Sequence, residues 1–273
     1  MMAPNLQCAI DGEKPSKIRP MKRHIPNIIT LLNVFCGCIA TVFAVLNKLE
    51  VAAFFVFLGI FFDFFDGLAA RALNVRSELG LQLDSLADVI TSGLVPGIVM
   101  FQLLSMSYSG GWNIGLQPDS PETMHWAAFD IPLIPFFGFL ITLASAYRLA
   151  KFNLDENQVS SFVGLPTPAN ALLILSFPLI LLYHNNDFLN TIILNKWFLI
   201  GTTLLSSYLL NANIGLFALK FKNWSFRDNA LRYIFIVVSF VLILTMKFMA
   251  IPGIIAFYII SSLVNNLKTP KQD

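Results

Sequence analysis

Eight apolar runs of spanning or near-spanning length follow one another along this 273-residue chain, at about 26–47, 51–73, 83–106, 125–147, 166–184, 193–212, 231–248 and 250–267. A bilayer core offers no water to backbone N–H and C=O groups, so each run has to close its own hydrogen bonds as a helix. The pattern predicts an all-α polytopic transmembrane bundle of about eight spans. Composition agrees: 12% of residues are charged, against roughly 25% in soluble domains. A net charge of +2 gives no basis for a nucleic-acid partner. Pro96, Pro132, Pro135 and Pro178 fall inside runs, where membrane helices tolerate kinks. No stretch reads as a soluble domain, a long linker or a cleavable signal peptide. Residues 1–24 read as a basic leader, 25–212 as the transmembrane core, and 213–273 as a loop, two more spans and a short tail.

Lys and Arg set the expected orientation. Lys14, Lys17, Arg19, Lys22 and Arg23 precede run one, Arg71 and Arg76 follow run two, and Arg148 and Lys151 follow run four. Lys220, Lys222 and Arg227 follow run six, and Lys268 and Lys271 close the chain. The 106–124 connection has no Lys or Arg, and the other connections on its side carry only Lys48, Lys196 and Lys247. Both termini are therefore expected in the cytoplasm, with the chain in the cell's inner, cytoplasmic membrane. Cys36 and Cys38 sit in an apolar run with no His nearby, so they read as packing residues rather than metal ligands.

Against this apolar background, "DFFDGLAARALNVRSELGLQLDSLAD" (Asp63 to Asp88) stands out. Asp63, Asp66, Gly67, Ala70 and Arg71 fall at i, i+3, i+4, i+7 and i+8, one helical stripe near the inner end of run two. Gly80, Asp84 and Asp88 at i, i+4 and i+8 form a stripe at the start of run three. A short connection between the runs brings the two acidic stripes to one depth. One Asp at the middle of a spanning helix costs about 2.5–3.5 kcal/mol, and converging carboxylates repel one another as well. A divalent cation relieves both, and hard oxygen ligands suit Mg2+ or Mn2+. Two facing pairs would hold two ions against a phosphate group undergoing displacement. Gly67 and Gly80 would admit a ligand close to the backbone, and Arg71 would pair with phosphate oxygens. Intramembrane acids also line ion pathways, so metal-ion transport is the non-enzymatic reading of the same residues. The three histidines, His24, His125 and His184, are scattered near span ends and form no Ser-His or Cys-His constellation.

The run Asp63-x2-Asp66-Gly67-x2-Ala70-Arg71-x8-Gly80-x3-Asp84-x3-Asp88 resembles the full signature of the CDP-alcohol phosphatidyltransferase family, without a departure. The resemblance implies an integral membrane enzyme that moves a phosphatidyl or phosphoalcohol group from a CDP-linked donor to an alcohol and releases CMP. It implies that Asp63, Asp66, Asp84 and Asp88 surround a two-metal centre, with Asp88 as general base. It also implies that Gly67, Ala70, Arg71 and Gly80 lie around the CDP moiety, and it suggests a homodimer. Three further stretches resemble a branch of the family whose acceptor is serine: "PNIITLLNVFCG" (Pro26 to Gly37), "RLAKFN" (Arg148 to Asn153) and "GLPTPANA" (Gly164 to Ala171). Lys151 stands where that branch's pattern has Arg, which keeps the charge and loses the bidentate fork. "ALKFKNW" (Ala218 to Trp224) is a weaker local match.

The expected substrates are CDP-diacylglycerol and L-serine, with glycerol 3-phosphate or inositol phosphate as alternative acceptors. Asn27 and Thr30 are expected at the nucleotide or, equally, as caps of the first helix. Arg148, Lys151, Asn153 and Thr167 are expected to bind serine, although Thr167 and its prolines also fit a plain helix start.

Overall fold

The computed structural model describes residues 20–75, 77–109, 133–154, 162–184, 186–216 and 226–268. The expectations for residues 1–19, Arg76, 110–124, His125, Pro132, the Ala218–Trp224 stretch and Lys271 lie outside the described residues. Helix α1 spans Pro20–Val45 and α2 spans Leu49–Ala72. A third, longer helix is made of α3 (Glu78–Asp88), a π-helical turn (Val89–Leu94) and α4 (Val95–Ser109). A 3-10 turn over Ile134–Phe139 leads into α5 (Leu140–Leu154). Then come α6 (Thr167–Tyr183), α7 (Asp187–Ile193), α8 (Lys196–Asn211), α9 (Phe226–Met246) and α10 (Ala250–Lys268). Two short strands, β1 (Phe162–Val163) and β2 (Gly215–Leu216), pair antiparallel.

The protein is an all-α polytopic membrane protein. Each of the eight apolar runs holds a helix, but the helices differ in length more than the even spacing of the runs implied. Four stretches are long and apolar enough to cross a bilayer by length and composition: His24–Val45, Leu49–Ala72, Glu78–Tyr108 and Asn229–Asn266. The last of these is a hairpin. Phe235 and Phe257 stack with ring centroids 5.8 Å apart, whereas one continuous helix would hold them roughly 33 Å apart. The reversal falls at Lys247, which has a φ of 50°. Helices α7 and α8 are bent by 58°, where Asn195 accepts from Trp197 N at 2.9 Å and starts α8 afresh. At 17 residues α6 is shorter than a usual span. It packs against α2, α4, α8 and α10, and a helix sheltered by its neighbours is not obliged to match the hydrocarbon thickness.

Close packing of α1 on α2 rests on small side chains. Ala40, Ala44, Ala52, Ala53 and Val56 are all fully buried, and small residues let membrane helices approach closely. Asn47, with a φ of 58°, turns the chain between the two helices. Gln102 reaches across from α4 and donates to the Ala44 and Val45 carbonyls, both at 3.1 Å, which satisfies the end of α1. At the opposite end of the bundle lie the start of α1, the end of α2, the start of α3, the end of α5, the start of α6 and the end of α8. Polar side chains gather at that end.

Candidate active site

Asp63 and Asp66 occupy the last turns of α2, and Asp84 and Asp88 lie on α3. The chain between the helices is short. Asn74, with a φ of 53°, turns it, and Ser77 caps α3 by accepting from Gly80 N at 3.0 Å. One carboxylate oxygen from each of Asp63, Asp66 and Asp84 lies within 4.8 Å of the others. Asp63 and Asp84 are within hydrogen-bond reach of each other, so a proton or a cation has to sit among them. Asp66 is only 5% exposed. Thr30 Oγ1 donates to its Oδ2 at 2.5 Å and also lies 3.1 Å from the Pro26 carbonyl, so α1 supplies a partner for a buried acid.

Asp88 stands one turn further along α3. Thr167 Oγ1, at the start of α6, donates to Asp88 Oδ2 at 3.4 Å, and the Arg148 guanidinium is close enough for the two charges to interact. The Asp88 charge also bears on Asp63, Asp84 and Asp66, so the four acids form one group in which oxygens of Asp63, Asp66 and Asp84 converge most closely. Four residues along α3 from Asp84, Asp88 lies beside Asp63 and also meets α5 and α6 through Arg148 and Thr167.

The remaining residues singled out in the sequence fall around this end. Helix α5 continues through Leu154, so Arg148, Lys151 and Asn153 are helical and not part of a loop. Arg148 Nε donates to the Leu165 carbonyl at 2.8 Å, and its Nη2 to the Gly164 carbonyl at 3.4 Å. Asn153 joins α5 to α3, with Ser85 Oγ donating to its Oδ1 at 3.1 Å and its Nδ2 donating to Gln82 at 3.3 Å. Lys151 is exposed. Arg71 is exposed too, and its Nε donates back to the Gly67 carbonyl at 2.9 Å. A Cβ on Gly67 would meet only Arg71, at 3.9 Å, which leaves open space beside the acids. Ala70 is half-buried on the same helix. Gly80 differs: a Cβ there would stand 3.2 Å from Asn27 Oδ1 and 3.1 Å from Ser77 Oγ, so its missing side chain makes room for Asn27 and the cap.

Sequence reasoning passed over Asn33, Thr91, Ser92, Ser145 and Asn170, all fully buried. Ser92 and Asn170 lie one turn beyond Asp88 and Thr167, and Ser145 one turn before Arg148. They extend the polar lining into the bundle. Asn33 continues the Asn27–Thr30 stripe at the next i+3 position, a signal present in the sequence.

Chemically, three hard-oxygen donors grouped this tightly fit a divalent cation. The open surface at Gly67 and Arg71, with the half-buried Arg148 at the same end, suits an anionic partner beside it.

The family model described as CDP-alcohol phosphatidyltransferase matches residues 23–208, which include every acid of the cluster. The chain is 32% identical over 160 residues to the CDP-diacylglycerol–serine O-phosphatidyltransferase of Bacillus subtilis (strain 168), covering 56% of this chain and 76% of that protein. It is 30% identical over 220 residues to the protein of the same name from Helicobacter pylori (strain J99), covering 79% and 81%. A third of that name, from Saccharomyces cerevisiae, is 33% identical over 168 residues, covering 56% and 52%. An all-helical bundle, an unbroken signature and a match over most of the chain lead to one assignment: this protein belongs to the CDP-alcohol phosphatidyltransferase family.

Proposed function

We propose that the protein transfers the phosphatidyl group of CDP-diacylglycerol to the hydroxyl of L-serine, giving phosphatidylserine and CMP. The observation that carries this reading is the convergence of the signature acids, from α2 and α3, with Thr30, Arg148 and Thr167 at one end of the bundle. The serine assignment draws on the names of the relatives and on the Arg148–Asn153 and Gly164–Ala171 stretches. Asp63, Asp66, Asp84 and Asp88 would hold divalent cations, Mg2+ or Mn2+ and two in number, and these would supply positive charge to offset the charge developing on departing CMP.

The chain's own groups do the rest. Asp88 takes the proton from the serine hydroxyl, and Thr167 orients the carboxylate that receives it. The serine oxygen forms a bond to the phosphatidyl phosphorus as the phosphoanhydride bond to CMP breaks, so no protein nucleophile is needed. Thr30 holds Asp66. Asn27, Gly67, Ala70, Arg71 and Gly80 border the nucleotide. Arg148 has guanidinium donors beyond those given to Leu165 and Gly164, and they bind the serine carboxylate with help from Lys151 and Asn153. The acyl chains stay in the bilayer. The basic connections favour a site facing the cytoplasm, with both termini there, and the active form is a homodimer.

Purified protein given CDP-diacylglycerol, Mn2+ and labelled acceptors tests the reading. CMP release with serine, and not with glycerol 3-phosphate or inositol phosphate, is expected. Turnover with another alcohol and none with serine would overturn the acceptor. Cation flux in proteoliposomes without CDP-diacylglycerol, and no CMP release, would overturn the enzyme.

A further inference from the structure

The acid cluster is also gripped from α1, at a point deeper than Thr30. Asn33 is fully buried, and its amide reaches two other elements. Its Nδ2 stands 3.5 Å from Asp63 Oδ1, and its Oδ1 accepts from Thr91 Oγ1 at 2.8 Å. The Thr91 hydroxyl also lies 3.3 Å from the Asn33 backbone carbonyl. These partners fix which way the amide faces. With Thr91 donating to Oδ1, the NH2 group points at the carboxylate. The opposite orientation would set the amide oxygen against a carboxylate oxygen.

The space for this contact is built by missing side chains. A Cβ on Gly59 would stand 2.7 Å from Thr91 Cγ2 and 2.8 Å from Asn33 Oδ1, and a Cβ on Gly37 would stand 2.5 Å from Thr91 Oγ1. Thr91 belongs to the π-helical turn Val89–Leu94. Such a turn admits one extra residue and changes the direction of every side chain after it, and π turns recur at functional sites. This one begins immediately after Asp88. The helix that carries Asp84 and Asp88 thereby also supplies, through Thr91, the group that orients Asn33.

We propose that Asn33 and Thr91 are positioning residues for Asp63: Thr91 fixes the Asn33 amide, and Asn33 Nδ2 holds the Asp63 carboxylate in the orientation that binds a divalent cation. The inference rests on the metal reading given above. Outer hydrogen bonds of this kind orient metal ligands, and their loss weakens metal binding.

The test is Mn2+ binding to the purified full-length protein in detergent, without lipid substrate, with free Mn2+ read by electron paramagnetic resonance. Thr91→Val keeps the side chain's shape and deletes its hydroxyl, while Thr91→Ser keeps the hydroxyl. Thr91→Val and Asn33→Ala are each expected to weaken Mn2+ binding about 10-fold, with Thr91→Ser within about twofold of wild type. In an Asp63→Asn background, Thr91→Val should have no further effect, because the coupled partner is gone. Wild-type affinity in Thr91→Val, or an equal loss in Thr91→Ser, would overturn the inference while the metal centre stands. A wild-type protein that binds no Mn2+ would overturn both.

Discussion

Asp66 and Asp88 carry the same side chain in different surroundings, and the surroundings separate their proposed work. Asp66 is buried, tied to Thr30, and one of three acids in a tight group. Asp88 lies beside that group, with one hydroxyl donor from Thr167 and the Arg148 charge beside it. A carboxylate held by one hydroxyl donor at 3.4 Å suits the proposed role of proton acceptor. Asp88→Asn keeps size and shape and removes the base, so turnover measured as CMP release should fall by about 10²–10⁴ with the protein still folded in detergent. Near-normal turnover in that variant would take the base's role away from Asp88. The acids were legible in the sequence because a charge inside a bilayer has few bland explanations. Asn33 was readable only as the next position of the Asn27–Thr30 stripe, and Thr91 was not legible at all. One neutral polar residue in an apolar run is ordinary, and its meaning appears only when another helix comes close enough to share a hydrogen bond.

Helices were the easily read elements, because the bilayer leaves no alternative for a long apolar run. Their irregularities were harder to foresee. The sequence "VITSGL" (Val89 to Leu94) carries no mark that separates a π turn from an ordinary one, and the 58° bend between α7 and α8 turns on one cap, Asn195. The meeting of α1, α2 and the π turn depends on Gly59, where a Cβ would press on Thr91 and Asn33. Gly59→Ala should therefore lower stability by about 1–3 kcal/mol, seen as a lower Tm in detergent. Gly201 in α8 is the control, since a Cβ there meets nothing within 4 Å. Gly201→Ala should leave the Tm unchanged or raise it, because Ala favours a helix by about 1 kcal/mol over Gly. Equal Tm values for Gly59→Ala and wild type would mean that these helices part at no cost.

Across the whole molecule, the region beyond the family match braces the proposed acceptor side. The match ends at residue 208, yet Gly164 N donates to the Ile214 carbonyl and Leu165 N to the Leu209 carbonyl, both at 2.9 Å. β1 pairs with β2, and Asn266 on α10 donates to the Gly215 carbonyl at 2.6 Å. Gly164 has a φ of 74°, and a Cβ on it would stand 2.6 Å from the Leu210 carbonyl, so the turn is fixed against the end of α8. Leu165, Leu216 and Ile255 form a small buried cluster beneath these bonds. The carbonyls that receive Arg148 are thus held by the strand pair and, through Ile255, by the C-terminal hairpin. Ile255→Ala would leave a cavity under the turn and loosen Arg148 without touching the acids. kcat/KM for serine should then fall by about tenfold or more, because small misplacements of a binding group are costly. Mn2+ affinity and KM for CDP-diacylglycerol should stay at wild-type values. Equal losses for both substrates, or none for either, would mean that α10 does not brace Arg148 in particular.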